Sequence, residues 1–203
     1  MQKAPENADE FFPWLKNESE SFWAHKELKG HIYGFQIEKG TKWLAGLSTS
    51  DIGSYERDLG VIFPDVYKKY LSCMNGTDKQ TVNVYGSSGE PYKRSYYDAF
   101  YSYPRDIELL RQQINWVYEE FGITEEDVNR RNIPHIIPIV GHRCLVADQF
   151  SANPILSMYG RDVILYASNL MTFLYLDIFC DHSMEENLER FGVKLNVPFW
   201  LKD

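Results

Sequence analysis

The amino-acid sequence predicts an α+β fold in which a mixed or antiparallel sheet is flanked by helices. Helical patterns dominate the first part of the chain, strand-length apolar segments follow in the middle, and a helical pattern returns near the end. This segregation of helices from strands is typical of the α+β class. The chain has 203 residues, of which 44% are hydrophobic, so it can bury a core without disulfides or a structural metal.

Residues 1–38 are predicted to form an N-terminal helical elaboration that packs on the core. An amphipathic pattern beginning near Phe11 predicts a helix that stops at Lys29 and Gly30. Residues 31–38 alternate loosely, which indicates a strand. The remaining residues, 39–203, are expected to form one compact α+β domain.

Two helices with marked ends are predicted in the next part of the chain. Ser48 and Asp51 have the spacing of a capping box, and the helix that they begin runs to Gly60. Pro64 is expected to be the first residue of the second helix, because proline fits a first helical position. The apolar face of this helix is followed by Asn75 and Gly76, which predict that the helix ends there.

An antiparallel meander is predicted after the clearest helical pattern in the chain. That pattern runs from Ile107 to Phe121 and stops at Gly122. Later apolar segments have the length of strands and are separated by turn residues. The predicted strands cover residues 81–85, 136–140, 143–147, 155–159 and 163–166. Ser168 is expected to begin a helix, and Ser183 with Glu186 resembles a capping box for the last one.

No sequence motif for catalysis stands out. The P-loop, the dinucleotide-binding glycine pattern, the nucleophile elbow and the HExxH zinc motif are all missing. The loop 86–89 can line backbone amides around an anion, but an ordinary hairpin loop is the favoured interpretation. His142 precedes Cys144 by two residues, a spacing that suits a metal pair or a Cys–His dyad, although a turn histidine followed by a buried cysteine is favoured. We therefore expect no catalytic residue, cofactor or metal.

Composition argues against nucleic-acid and membrane partners. The chain carries 21 basic and 29 acidic residues, so its net charge is −8. Its three cysteines are widely spaced and form no CxxC pair, which suits a reducing compartment. The sequence shows neither a signal peptide nor an apolar run long enough to span a membrane. A cytoplasmic protein is expected.

Negative charge is concentrated in two segments. Residues 106–127 contain seven acidic residues and one arginine, and residues 177–190 contain five acidic residues and one arginine. A patch of this kind attracts and orients a basic protein partner, whereas the alternative is a solvated helix face. The glutamates expected to contact a partner are Glu119, Glu120, Glu125 and Glu126.

A run rich in tyrosine is the second candidate for a partner-binding surface. Tyrosine provides a large contact area at a low cost in side-chain entropy, and tyrosines are interleaved here with Lys93, Arg94 and Arg105. The alternative is that the rings pack beneath the loop against the sheet. The tyrosines expected to contact a partner are Tyr92, Tyr96, Tyr97, Tyr101 and Tyr103.

Residues 52–76, with the sequence IGSYERDLGVIFPDVYKKYLSCMNG, resemble the signature of the SUKH superfamily, whose members include the yeast cell-wall glucan-synthesis regulator and many bacterial immunity proteins. The resemblance extends over roughly residues 40–180 and implies a SUKH-like fold. Most matching positions have structural roles, and Glu56 is expected to accept hydrogen bonds across the helix pair. The motif residues are Glu56, Gly60, Pro64, Tyr67, Asn75 and Gly76.

The SUKH resemblance also implies a binding module that often neutralises a toxin by occupying it. The leading hypothesis is therefore a non-enzymatic protein-binding module, a bacterial immunity protein whose partner is a basic toxin. One alternative is a regulatory scaffold in cell-wall or growth control. Another is a small-molecule-binding or hydrolytic domain that uses the loop 86–89 with Arg94, Arg105 or His142. The oligomeric state is left open.

Overall fold

The structure, a computed structural model, describes residues 4–31, 35–84, 93–95, 99–147, 153–179 and 195–201. It confirms the predicted α+β class. The helices of the described residues are α1 (Ala8–His25), α2 (Thr49–Leu59), α3 (Asp65–Cys73), α4 (Ile107–Phe121), α5 (Glu125–Arg131) and α6 (Leu170–Phe179). The strands are β1 (Phe35–Gln36), β2 (Trp43–Ala45), β3 (Met74–Thr77), β4 (Thr81–Asn83), β5 (Lys93–Ser95), β6 (Ile136–Val140), β7 (Arg143–Val146), β8 (Ile155–Tyr159) and β9 (Asp162–Ala167).

The largest sheet is a four-stranded antiparallel meander with the order β6-β7-β8-β9, as the sequence predicts. Cys144 on β7 pairs with Leu156 on β8, which in turn pairs with Leu165 on β9. Two smaller antiparallel sheets, β1-β4-β5 and β2-β3, lie earlier in the chain. The meander forms because apolar segments of strand length are joined by tight turns, where Gly141 and Gly160 adopt positive φ angles.

The four-stranded sheet is buried on both faces. Successive side chains of a strand point to opposite faces, so Leu145 and Ile155 join one apolar cluster while Cys144 and Leu156 join another. The first cluster contains residues from α1, α2, α3 and α6. The second contains residues from α4 and α5 and the segment 195–201. Helices therefore cover both faces of the sheet.

Helix α1 contributes to the larger of the two clusters. Phe12, Leu15 and Trp23 are almost fully buried, and the ring of Trp23 lies 5.3 Å from the ring of Trp43. The helix ends at His25 rather than at the predicted Lys29. The side-chain amide of Gln36 binds both the backbone N–H and the carbonyl of Lys29, so these groups pair with β1 instead of continuing the helix.

The predicted end of α3 at Asn75 and Gly76 is wrong. The helix ends at Cys73, and the next residues form β3, which pairs with β2. Gly76 has a φ of +72°, and a Cβ at this position would lie 2.6 Å from the carbonyl oxygen of Tyr101. Close backbone approach, not helix termination, thus requires glycine here.

Two predicted helix starts are displaced by one residue. Pro64 is the N-cap of α3, with an extended ψ of 148°, rather than its first helical residue. At α6, the side chain of Asn169 accepts a hydrogen bond of 2.9 Å from the backbone N–H of Thr172, so Asn169 takes the capping role expected for Ser168. The predicted capping box of Ser183 and Glu186 lies outside the described residues.

Replacing Gly76 with alanine is expected to destabilise the protein strongly. A Gly76→Ala side chain would meet two carbonyl oxygens at 2.6 and 2.7 Å. Gly122→Ala is the matched control, because Gly122 has a similar φ of +66° but nothing within 4 Å of its added Cβ. Gly122→Ala should cost about 1–2 kcal/mol and Gly76→Ala at least ~2 kcal/mol more. Urea unfolding of the two variants measures the difference, and equal losses would contradict the close approach.

Candidate protein-binding surface

Glu56 links the two helices of the α2–α3 pair. Its Oε1 atom accepts a hydrogen bond of 2.7 Å from the backbone N–H of Phe63, in the connecting loop. The same atom lies 2.8 Å from the ammonium group of Lys68 on α3. Partial burial tends to raise the pKa of Glu56, but Lys68 and the Phe63 N–H together hold that pKa below its usual value. Glu56 is therefore an internal brace of the helix pair.

The other SUKH-like motif residues also have structural roles. Gly60 ends α2 in the left-handed conformation, with a φ of 66°. Tyr67 is buried in the larger apolar cluster. The side-chain amide of Asn75 binds the backbone of Tyr103 at both its N–H, 2.9 Å away, and its carbonyl oxygen, 2.6 Å away. The motif thus builds a framework and presents no reactive group.

Both described tyrosines of the tyrosine-rich run, the buried Tyr101 and the half-buried Tyr103, contact other residues of the protein. Tyr101 is only 5% exposed, and its hydroxyl group donates to the carbonyl oxygen of Gly141. Tyr103 stacks on Tyr55 at 4.6 Å and donates its hydroxyl hydrogen to Asp58. For Tyr101 the prediction of a partner contact is therefore corrected to a packing role, because little of its ring reaches solvent. Tyr92, Tyr96 and Tyr97 lie outside the described residues.

All four predicted glutamates are exposed, but they do not face one direction. Glu119 and Glu120 end α4, whereas Glu125 and Glu126 begin α5. The carboxylate of Glu120 lies beside Gly160, and Arg161 donates to the Glu120 carbonyl oxygen at 2.6 Å, so this residue borders the turn between β8 and β9. The carboxylate of Glu125 lies beside Gly60 at the end of α2.

An exposed aromatic residue near Glu120, Tyr159, was not predicted from the sequence. Tyr159 is 71% exposed and lies at the end of β8. Its ring contacts Trp116 of α4 at 5.8 Å and His142 at 5.9 Å, both edge to face. We call Trp116, Glu119, Glu120 and Tyr159 the acidic–aromatic surface. Strand alternation could not have found Tyr159, because it groups this residue with the buried Ile155; the exposure of Tyr159 follows from its place at the end of β8.

His142 and Cys144 do not form a dyad. Cys144 is fully buried, and burial raises the pKa of its thiol to about 12. His142 instead lies with its Nδ1 atom 3.1 Å from Nη1 of Arg143, and burial together with this cation lowers its pKa to about 4. The described part of the chain holds no group of three His, Cys, Asp or Glu side chains placed to bind a metal ion. A protonated, buried thiol cannot act as a nucleophile or metal ligand.

The arginines considered for a small-molecule site are engaged elsewhere. Arg94 pairs with Glu38, and Arg105 pairs with Asp106 at 2.7 Å. A cleft of about 250 Å³ does lie between α2 and α4. Two arginines line this cleft. Arg111 donates to the carbonyl oxygen of Asp58 and to Glu108, and Arg57 donates to the hydroxyl group of Ser54, so both already have partners within the protein. The loop 86–89 lies outside the described residues.

Comparison with known proteins does not assign a family. No protein-family model matches the chain, and the search of curated proteins found no match to it. The resemblance of residues 52–76 to the SUKH signature therefore stays a prediction. None of the described helices is both long enough and apolar enough to cross a membrane.

The substitution Glu56→Gln is expected to destabilise the protein in a pH-dependent way. Because the folded state lowers the pKa of Glu56, its carboxylate stabilises the fold above the unfolded pKa, and this contribution is lost as the pH falls through the folded pKa. At pH 7 the variant should lose about 1 kcal/mol. The gap to the wild type should close below roughly pH 4.

Urea unfolding at pH 7 and at pH 3 measures this gap. Glu119→Gln is the matched control, since Glu119 is exposed at the end of α4. It should change the free energy of unfolding by less than about 0.5 kcal/mol at either pH. If the Glu56 variant loses the same free energy of unfolding at both pH values, the stabilising role of the Glu56 carboxylate charge is ruled out.

Proposed function

We propose that this protein is a non-enzymatic protein-binding module, a bacterial immunity protein that neutralises a basic partner toxin in the cytoplasm. The acidic–aromatic surface is the observation that carries the proposal. There the exposed ring of Tyr159 contacts Trp116, and the carboxylate of Glu120 lies beside the next residue, Gly160. The resemblance to the SUKH signature supports the same function.

The chemistry of this surface favours a basic protein. Tyrosine and tryptophan are frequent binding hot spots, because a ring covered by a partner removes a large apolar area from water. The glutamates beside the ring attract lysine and arginine over a distance of about one Debye length, roughly 8 Å at physiological salt. An arginine can stack on the Tyr159 ring while its guanidinium pairs with Glu120. The net charge of −8 increases this attraction.

Hydrogen bonds to the backbone hold the residues of the acidic–aromatic surface in place. The backbone N–H of Met158 donates to the carbonyl oxygen of His142 at 2.9 Å, which ties the two hairpins of the sheet together beside the Tyr159 ring. Arg161 joins the β8–β9 turn to the end of α4 through the Glu120 carbonyl oxygen. Because these contacts hold the residues before binding, a partner has little ordering entropy to overcome.

Removing the Tyr159 ring is expected to weaken partner binding. Tyr159→Ala should raise the dissociation constant about tenfold or more, because it removes the exposed hot-spot side chain. Glu120→Gln should raise it several-fold, mainly by slowing association at low salt. The controls are Ile62→Ala, an 81% exposed side chain in the α2–α3 loop, and Glu10→Gln, an exposed acid on α1. Both controls should bind as the wild type does.

The partner to test is any basic protein encoded beside this gene. Calorimetry at two salt concentrations measures its affinity, and growth of cells that express it, with and without this chain, measures neutralisation. If the neighbour binds but Tyr159→Ala matches Ile62→Ala, the surface is wrong. If the neighbour neither binds nor is toxic, the immunity function is wrong, and several stable partners would instead support the regulatory scaffold.

A further inference from the structure

Arg143 is a half-buried cation that has no ion-pair partner among the described residues. It lies on β7, and none of the described Asp or Glu residues forms an ion pair with it. Its Nε atom is buried and has no hydrogen-bond partner in the part of the chain that the structure describes. A buried donor without an acceptor is costly, and the cost is larger for a charged group. The guanidinium therefore requires an acceptor that the described residues do not supply.

The neighbours of Arg143 hold its side chain without neutralising it. Its Nη2 atom lies 3.4 Å from the hydroxyl oxygen of Tyr166, and its Cζ atom lies 4.7 Å from the centre of that ring. Its Nη1 atom lies 3.1 Å from Nδ1 of His142. Arginine only donates, so His142 accepts at Nδ1 and is neutral, in agreement with its lowered pKa of about 4. A ring face and a neutral imidazole thus orient the guanidinium.

Asp177 on α6 is the acidic group that acts on Arg143 through space. Burial raises the pKa of this carboxyl, although the positive charges of Arg143 and Lys26 oppose the shift. Burial thus disfavours the charged carboxylate, whereas the two cations favour it. No ion pair joins Asp177 to Arg143 within 4.0 Å in the described part of the chain.

A hydroxyl donor lies next to the guanidinium on the same face of the sheet. Arg143 is directly opposite Ser157 on β8, and Ser157 is directly opposite Ile164 on β9. Side chains of directly paired residues share one face and lie about 5 Å apart at Cβ. Ser157 is half-buried, and Ile164 at the edge strand is 37% exposed. These three residues therefore form a row across the sheet, from the cation on β7 to the partly exposed side chain on β9.

We infer that Arg143, Ser157 and Tyr166 form a binding site for one oxyanion, the carboxylate or phosphate group of a ligand. Nε and Nη2 of an arginine present two parallel N–H groups that match two oxygens of such an anion. The Ser157 hydroxyl group can donate to a third oxygen. This site differs from the proposed toxin-binding surface and does not depend on it, since the surface attracts cations and the site takes a single anionic group.

Side-chain NMR of the full ¹⁵N-labelled chain tests the site directly. The Nε–H resonance of Arg143 and the backbone amides of Ser157 and Tyr166 are followed while inorganic phosphate or acetate is added at constant ionic strength. Saturable shifts at these three positions with either anion, and none with chloride, are expected. Saturation by phosphate alone identifies a phosphate site, and saturation by acetate alone identifies a carboxylate site. Linear shifts, or equal shifts with chloride, would overturn the inference.

Variants separate this site from general attraction of anions. Arg143→Gln should weaken anion binding, read from the Ser157 and Tyr166 amides, about tenfold or more. Arg143→Lys keeps the charge but loses the paired N–H groups, so it should also weaken binding. Arg130→Gln is the control, because Arg130 is exposed on α5 and pairs with Asp127. Equal anion affinity in the Arg143 and Arg130 variants would refute the site. If the Arg143 variants do not fold, the titration of the wild-type protein tests the site by itself.

Discussion

Burial of the four-stranded sheet on both faces is the constraint on which the rest of the structure depends. A sheet that is apolar on both sides has to be covered by two layers, and α6 with the N-terminal helices supplies one while α4 and α5 supply the other. Polar groups can then emerge only at the ends of the sheet and along its edge strand. The acidic–aromatic surface and the row that contains Arg143 both occupy such positions.

The elements predicted correctly from the sequence are those with local causes. Ser48 and Asp51 form the expected capping box, and Gly122 ends α4 in the left-handed conformation. The meander follows from apolar segments whose length leaves no room for helices. The end of α3 was mispredicted because Asn75 and Gly76 have a long-range role. Their backbone and side chain contact residues 100–103, and no local pattern reveals that contact.

The candidate site was less accessible to prediction than the fold. Exposure of the four glutamates follows from helical periodicity, since the buried positions of α4 and of α5 fix which side chains face water. The direction in which each one faces depends on how α4 and α5 meet the rest of the molecule, so Glu120 and Glu125 border different elements. The role of a tyrosine is hard to predict for a further reason, because the same ring can pack in the core or bind a partner. Tyr101 is packed and Tyr159 is exposed, and sequence composition favours neither outcome.

His142 lies between a negatively charged surface and a positively charged side chain at one end of the sheet. Its ring contacts Tyr159 of the acidic–aromatic surface, and its Nδ1 atom accepts from Arg143 on the neighbouring strand. With a pKa of about 4, the imidazole stays neutral across the physiological range, so it lies between the acidic–aromatic surface and the Arg143 guanidinium without adding charge to either. A protonated imidazole would repel Arg143 and leave Nδ1 with no lone pair to accept its hydrogen bond. The neutral ring thus keeps its hydrogen bond with Arg143 and adds no positive charge beside the acidic–aromatic surface.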